Sequence, residues 1–126
     1  MHTTPLKVII VDDSIITVKK LTVLMEGLGH QVVATVSNGL DAIEAYRRHQ
    51  PDLMTMDISL PDMDGMTATA RIVAEFPAAR IMMVTSHGQE RMVIDSLDAG
   101  AKGYVLKPVR IEKLSDMIAK IMERAP

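Results

Sequence analysis

The chain contains no cysteine and no tryptophan, and only two tyrosines and one phenylalanine among its 126 residues. Without thiols, a disulfide framework and thiolate metal centres are excluded, and folding needs no oxidising compartment. With aromatics at 2% of the composition, few rings are available to stack on an isoalloxazine or a similar planar cofactor. A basic excess is also missing: 14 Lys plus Arg stand against 16 Asp plus Glu, a formal net charge of -2, so no broad positive field draws in a nucleic-acid backbone. Long apolar runs are absent too. The opening "MHTTPLKVIIVDD" has its hydrophobic stretch cut by Lys7 and ended by Asp12, too short for a signal-peptide core or a membrane span. The expectation is a cytoplasmic protein with neither membrane insertion nor nucleic-acid binding.

What is present is 48% hydrophobic and 24% charged residues, the profile of one globular domain with a real core and no room for a second. Short apolar runs rich in β-branched residues alternate with longer segments of helical period. Residues 7–11, 31–36, 52–56, 80–84 and 103–106 read as strands. The first is nearly continuous in apolar residues, which suits a strand covered on both faces. Between the strands, Ile16, Leu21, Leu24 and Leu28 approximate one helical face; Leu40, Ile43 and Tyr46 a second; Ile72, Val73 and Phe76 a third; Val93 and Leu97 a fourth. The fifth pattern is the clearest, with Ile111, Leu114, Met117, Ile118, Ile121 and Met122 in helical register and charged residues between them. Gly27 and Gly29, Asn38-Gly39, Pro51, Pro77 and Gly100 punctuate the same partition.

Five strand-then-helix units predict an α/β fold, an open doubly wound parallel sheet, (βα)5, with helices on both faces. A closed eight-unit barrel would need roughly twice the length. In such a sheet the ligand site lies beyond the carboxyl ends of the strands. The residues that end the predicted strands are Asp12 and Asp13, Asp57, Thr85 and Ser86, and Lys107. Three carboxylates, a hydroxyl pair and an ammonium therefore converge on one edge. Two carboxylates about 4 Å apart repel by about 4 kcal/mol at an effective dielectric near 20, so the cluster needs a compensating cation or raised pKa values. Magnesium is the simplest one, since it takes oxygen ligands, keeps several waters and uses one or two carboxylates together with a phosphate. Beside it Asp57 can act as a nucleophile toward phosphorus, with Thr85 and Lys107 binding the phosphoryl oxygens.

Single motifs also carry competing readings. Asp13 and Ser14 alone would be helix N-caps, a reading outweighed by their convergence with Asp57, Thr85 and Lys107, and "PDMDG" alone is turn chemistry. Two others fail on spacing. A calcium loop with Gly65 at its glycine position would put Arg71 where a bidentate glutamate is required. "GLGHQV" precedes a strand and has Val32 where a dinucleotide fingerprint needs a third glycine. The eleven methionines read mostly as adaptable core filler, with some on the fourth and fifth helices able to line a partner groove.

The runs "VDDS", "MDISLPDMDG" and "MVIDSLDAGAKGYVLKP" resemble a response-regulator receiver domain of the single-domain, chemotaxis type, and the resemblance covers the whole chain. It implies the flavodoxin-like strand order 2-1-3-4-5. It also implies Asp57 as phosphoacceptor, with Asp12, Asp13, Asp57 and the backbone carbonyl of Ser59 holding Mg²⁺. Thr85 and Tyr104 match the family's switch pair, and Lys107-Pro108 its lysine followed by a cis proline. Ser59 and His87 match positions whose side chains modulate dephosphorylation. The implied function is that of a phosphoacceptor rather than an enzyme, one that promotes its own phosphorylation and dephosphorylation and switches a face made of the fourth helix, fifth strand and fifth helix. The implied partners are a sensor histidine kinase, a downstream protein target, of which a flagellar motor switch is one candidate, and a phosphatase. Residues 1–126 are expected to form the receiver alone, with no output domain. The alternatives are a receiver fragment of a larger regulator and a Mg²⁺-dependent aspartyl phosphatase.

Overall fold

β1 (Lys7–Val11) carries four consecutive buried residues behind one exposed lysine, the burial expected of a strand sandwiched between helix layers. The chain, described over residues 4–86 and 88–123 in a computed structural model, continues as α1 (Ile15–Gly27), β2 (Gln31–Val36), α2 (Gly39–His49), β3 (Leu53–Met56) and α3 (Gly65–Glu75). It ends with β4 (Ile81–Thr85), α4 (Glu90–Asp98), β5 (Gly103–Leu106) and α5 (Ile111–Glu123). The four strand pairings of the sheet are parallel and the strand order is β2-β1-β3-β4-β5. The fold is thus the five-stranded flavodoxin-like α/β architecture. The predicted strand bounds hold to within one residue, β3 starting at Leu53 and β4 running from Ile81 through Thr85.

Strand alternation splits the core in two. Ile9, Val11, Met54, Met56, Ile81 and Met83 point toward α2 and α3, while Val8, Ile10, Leu53, Met82 and Val84 point toward α1 and α5. Methionine fills both layers, with Met25, Met54, Met56, Met82 and Met83 fully buried.

Helix starts are set by side-chain caps. Ser14 accepts from the Thr17 amide, Asn38 from that of Asp41, and Asp64 from that of Thr67. α4 has no side-chain cap at its first turn and buries only Ser96.

The helical faces differ from the periodicity reading at particular residues. Ile16 is 82% exposed, while α1 buries Leu21, as expected, together with Met25. Leu40 is 59% exposed at the start of α2, although Ile43 and Tyr46 are buried as expected. Leu97 and Ile111 also face outward. All four lie at or within two residues of a helix end, or on the short α4, where the sheet no longer covers the stripe. No helix among the described residues is long and apolar enough to cross a membrane.

Candidate functional site

Asp12 and Asp57 leave the ends of neighbouring strands, β1 and β3, and each has its backbone tied to the next strand. The Asp12 amide donates to the Val36 carbonyl at 3.0 Å, and the Asp57 amide to the Val11 carbonyl at 3.0 Å. Both side chains are buried, and Asp13 beside them is exposed. One carboxylate oxygen from each of the three lies within 4.8 Å of the others. Asp12 Oδ1 accepts from the Ser14 amide at 2.9 Å, which joins the acidic turn to the cap of α1.

Lys107 follows β5 and reaches over the end of β4. Its Nζ lies 2.9 Å from Asp12 Oδ2 and 3.5 Å from Asp57 Oδ2. The contact with Asp12 is an ion pair, and among the described residues the buried Oδ2 has no further hydrogen-bond partner. The Lys107 amide donates to the Thr85 carbonyl at 2.8 Å, fixing the lysine's backbone against the last residue of β4. Thr85 itself is buried. The Lys107-Pro108 peptide is cis.

Burial pushes the Asp57 carboxyl above its ordinary pKa, and the Asp12 charge pushes it further. The Lys107 ammonium and the Ser59 amide, 3.4 Å from Asp57 Oδ1, pull the other way without reversing the shift. Among the described residues, three ionised carboxylates against one ammonium leave two formal negative charges, and the buried Asp12 Oδ2 meets only the Lys107 ammonium. A hard divalent cation with oxygen preference fits that deficit in charge and in ligand chemistry.

The structure therefore gathers Asp12, Asp13 and Asp57 in direct reach of one another, with Lys107 in contact with Asp12 and Asp57. Thr85 sits at the same sheet edge. Ser59 lies in the β3–α3 loop, bridged antiparallel to Asp64, with its side chain exposed. Tyr104 is half-buried on β5, paired in register with Met83 and packed on the α2–α3 side of the core. His87 lies outside the described residues. Two residues carry more than their turn chemistry suggested. Asp64 caps α3, and Asp62 accepts from the Gly39 and Leu40 amides of α2 at 2.7 and 2.9 Å. The cap is legible from its spacing before α3, but a contact across 22 or 23 residues leaves no local signal.

The profile described as the response regulator receiver domain matches residues 8–119. The chain belongs to the response regulator receiver family. The chemotaxis protein CheY of Bacillus subtilis is 40% identical over 116 residues, covering 92% of this receiver and 97% of that protein. The CheY chain in a CheX-CheY-BeF3-Mg+2 complex from Borrelia burgdorferi superposes with a TM-score of 0.90 at 35% identity, covering 94% of this receiver and 90% of that chain. A protein-glutamate methylesterase/protein-glutamine glutaminase of Natronomonas pharaonis is 36% identical over 102 residues, 79% of this receiver and 28% of that longer protein. The receiver is thus CheY-like, and its Asp12, Asp13 and Asp57 form the acidic pocket of the family.

Proposed function

We propose that this receiver is the phosphoacceptor of a two-component relay, taking a phosphoryl group onto Asp57 from a sensor histidine kinase in a Mg²⁺-dependent reaction. The observation that carries the reading is the charge balance of the pocket. Among the described residues, three carboxylates lie within 4.8 Å of one another and one ammonium pairs with two of them, Asp12 and Asp57, so the cluster keeps an excess of negative charge. The carboxylates of Asp12, Asp13 and Asp57, with the backbone carbonyl of Ser59, would hold the cation. Bound there, Mg²⁺ would offset negative charge and supply a Lewis acid for phosphoryl oxygens.

The chain's own residues supply the rest. An Asp57 carboxylate oxygen attacks phosphorus as the bond from phosphorus to the donor imidazole nitrogen breaks. The electron pair stays on that nitrogen, which takes a proton from solvent, and Asp57 becomes an acyl phosphate. Lys107 trades part of its contact with the carboxylates for a phosphoryl oxygen, as a point charge. The Thr85 hydroxyl donates to another phosphoryl oxygen, and Tyr104 turns into the space that this movement vacates. The face formed by α4, β5 and α5 then changes shape. α4 suits this role because it buries only Ser96 and has no side-chain cap.

Ser59 and His87 stand two residues beyond Asp57 and Thr85 and set the access of water to the acyl phosphate, and so the lifetime of the signal. The downstream partner is a protein read by the switched face, in a chemotaxis or motility type of pathway, with the flagellar motor switch as the candidate target and a phosphatase as terminator. A CheY of Bacillus subtilis at 40% identity supports that pathway class.

The test is incubation with acetyl phosphate and Mg²⁺, read by intact mass. One phosphoryl per chain, absent in Asp57→Asn and absent in EDTA, is the expected result. Sustained phosphate release from unrelated esters would instead make the protein a phosphatase, and an Asp57→Asn variant that still gains the group would overturn the assignment.

A further inference from the structure

The loop between β3 and α3 has to hold the acceptor and Ser59 steady, yet its tip is exposed. Its inner limb is secured locally: the Asp57 amide bonds Val11, the Gly65 amide donates to the Ile58 carbonyl at 2.7 Å, and Ser59 pairs with Asp64. Its outer limb leans on a different element. Asp62 places Oδ1 2.7 Å from the Gly39 amide and Oδ2 2.9 Å from the Leu40 amide, the first two free donors of α2. The next residue, Met63, lies flat against Gly39, where an added Cβ would meet its Cγ and Sδ. The cap on the following donor is already supplied by Asn38, which accepts from the Asp41 amide at 2.8 Å. Asp62 thus completes the start of α2 from a distant loop.

α2 is a firm support for this purpose. It buries Ala42, Ile43 and Tyr46, and its far end is tied to α3 by the paired Arg47–Glu75 contact and by the Tyr46–Phe76 ring contact at 4.9 Å. The geometry points to Asp62 as a positioning residue of the receiver site, one that pins the outer limb of the β3–α3 loop to the start of α2 and thereby holds Ser59 and Asp57 in place for cation capture. This rests on the reading above that the pocket takes Mg²⁺ and a phosphoryl group. The paired amides also keep the Asp62 carboxyl below the usual carboxylate range, so the clamp persists at mildly acidic pH.

Loss of charge and loss of the clamp are separated by comparing two neutral variants. Asp62→Ala removes both acceptor oxygens, whereas Asp62→Asn keeps one. In calorimetric titration with MgCl₂, Asp62→Ala weakens binding by about tenfold and Asp62→Asn stays within about threefold of the wild type, in line with the cost of removing groups that orient metal ligands. In metal-free protein the Gly65 amide exchanges faster in Asp62→Ala, while urea unfolding shows both variants folded.

Equal weakening in the two variants would assign the effect to charge and overturn the inference. So would unchanged Mg²⁺ affinity, or unchanged Gly65 exchange, in Asp62→Ala. If the wild type itself neither binds Mg²⁺ nor gains a phosphoryl from acetyl phosphate, the proposed function falls and this inference with it. A competent wild type beside an unaffected Asp62→Ala removes the inference alone.

Discussion

Replacing Lys107 with methionine keeps most of the stem and deletes the cation that contacts Asp12 and Asp57. At 2.9 and 3.5 Å, the ammonium attracts the two carboxylates by about 6 and about 5 kcal/mol in gross Coulomb terms at an effective dielectric near 20. Desolvation takes back much of this, because the lysine side chain is only 20% exposed and Asp12 is 1% exposed. Breaking a buried pair from one side costs about 3–5 kcal/mol, and a loss of that order is expected in metal-free buffer at pH 7.5. The assay is urea unfolding in EDTA, followed by the same measurement in saturating MgCl₂. With the ammonium gone, a divalent cation meets less repulsion and binds about tenfold more tightly, which returns about 1.4 kcal/mol of the deficit. Lowering the pH to 5.5 should also narrow the gap, since Asp57, already raised by burial, protonates more readily without Lys107. A variant within 0.5 kcal/mol of the wild type without metal, on the order of an ordinary surface change, would refute the charge-balance reasoning. A deficit that Mg²⁺ leaves unchanged would refute it too.

Other changes test the fold and its supports. A Cβ on Gly65 would overlap the backbone oxygen of Asp57, which cannot rotate away, whereas one on Gly103 meets the flexible Met117 Sδ at 2.5 Å. Gly65→Ala should therefore lose about 3 kcal/mol and Gly103→Ala distinctly less, with equal shifts in denaturation midpoint counting against this account. Leu114→Ala, at a fully buried position, should cost about 2–5 kcal/mol, and Ile16→Ala less than about 0.5 kcal/mol despite its place in an apolar pattern. His30 is buried with its Nδ1 accepting from the Leu6 amide at 3.1 Å, and burial holds its pKa below 6.5. The unfolded chain therefore takes up a proton first, and stability present above pH 6.5 is lost as the pH falls toward the folded value. His30→Asn, which can keep the acceptor without titrating, should flatten that slope by up to about 1.4 kcal/mol per pH unit, measured by unfolding between pH 8 and 5.

The strands were legible because their residues are apolar on both faces, as in β1, and because Gly, Pro and Asn punctuate the helices between them. Asp12, Asp57, Thr85 and Lys107 were legible for a related reason: each is the polar residue at or just after the end of an apolar strand, and a parallel sheet brings all such ends to one edge. Periodicity failed where a helix outruns the sheet. Ile16 and Leu40 fit an apolar stripe but lie in the first turn of their helices, beyond the strand ends that would cover them. His30 and Asp62 were illegible because their partners, Leu6 and the start of α2, are 22 to 24 residues away. Nothing in a local window marks such a contact.

The placement of the acidic cluster follows from the same division. A carboxylate buried in the middle of β1 or β3 would face apolar side chains in both core layers, at a desolvation cost that nothing there offsets. One residue past the strand end, Asp12 and Asp57 keep backbone bonds to Val36 and Val11 and meet the Lys107 ammonium. The rigid sheet sets their separation, and the loops that follow supply what must adjust: the capped turn at Ser14, the β3–α3 loop leaning on α2, and the loosely anchored α4. Repulsion that would be a defect in an ordinary core becomes usable free energy at this edge, because it falls when charge is compensated. A group that alters the compensation can therefore shift the surrounding loops without disturbing Ile9, Met54 or Met82 beneath them.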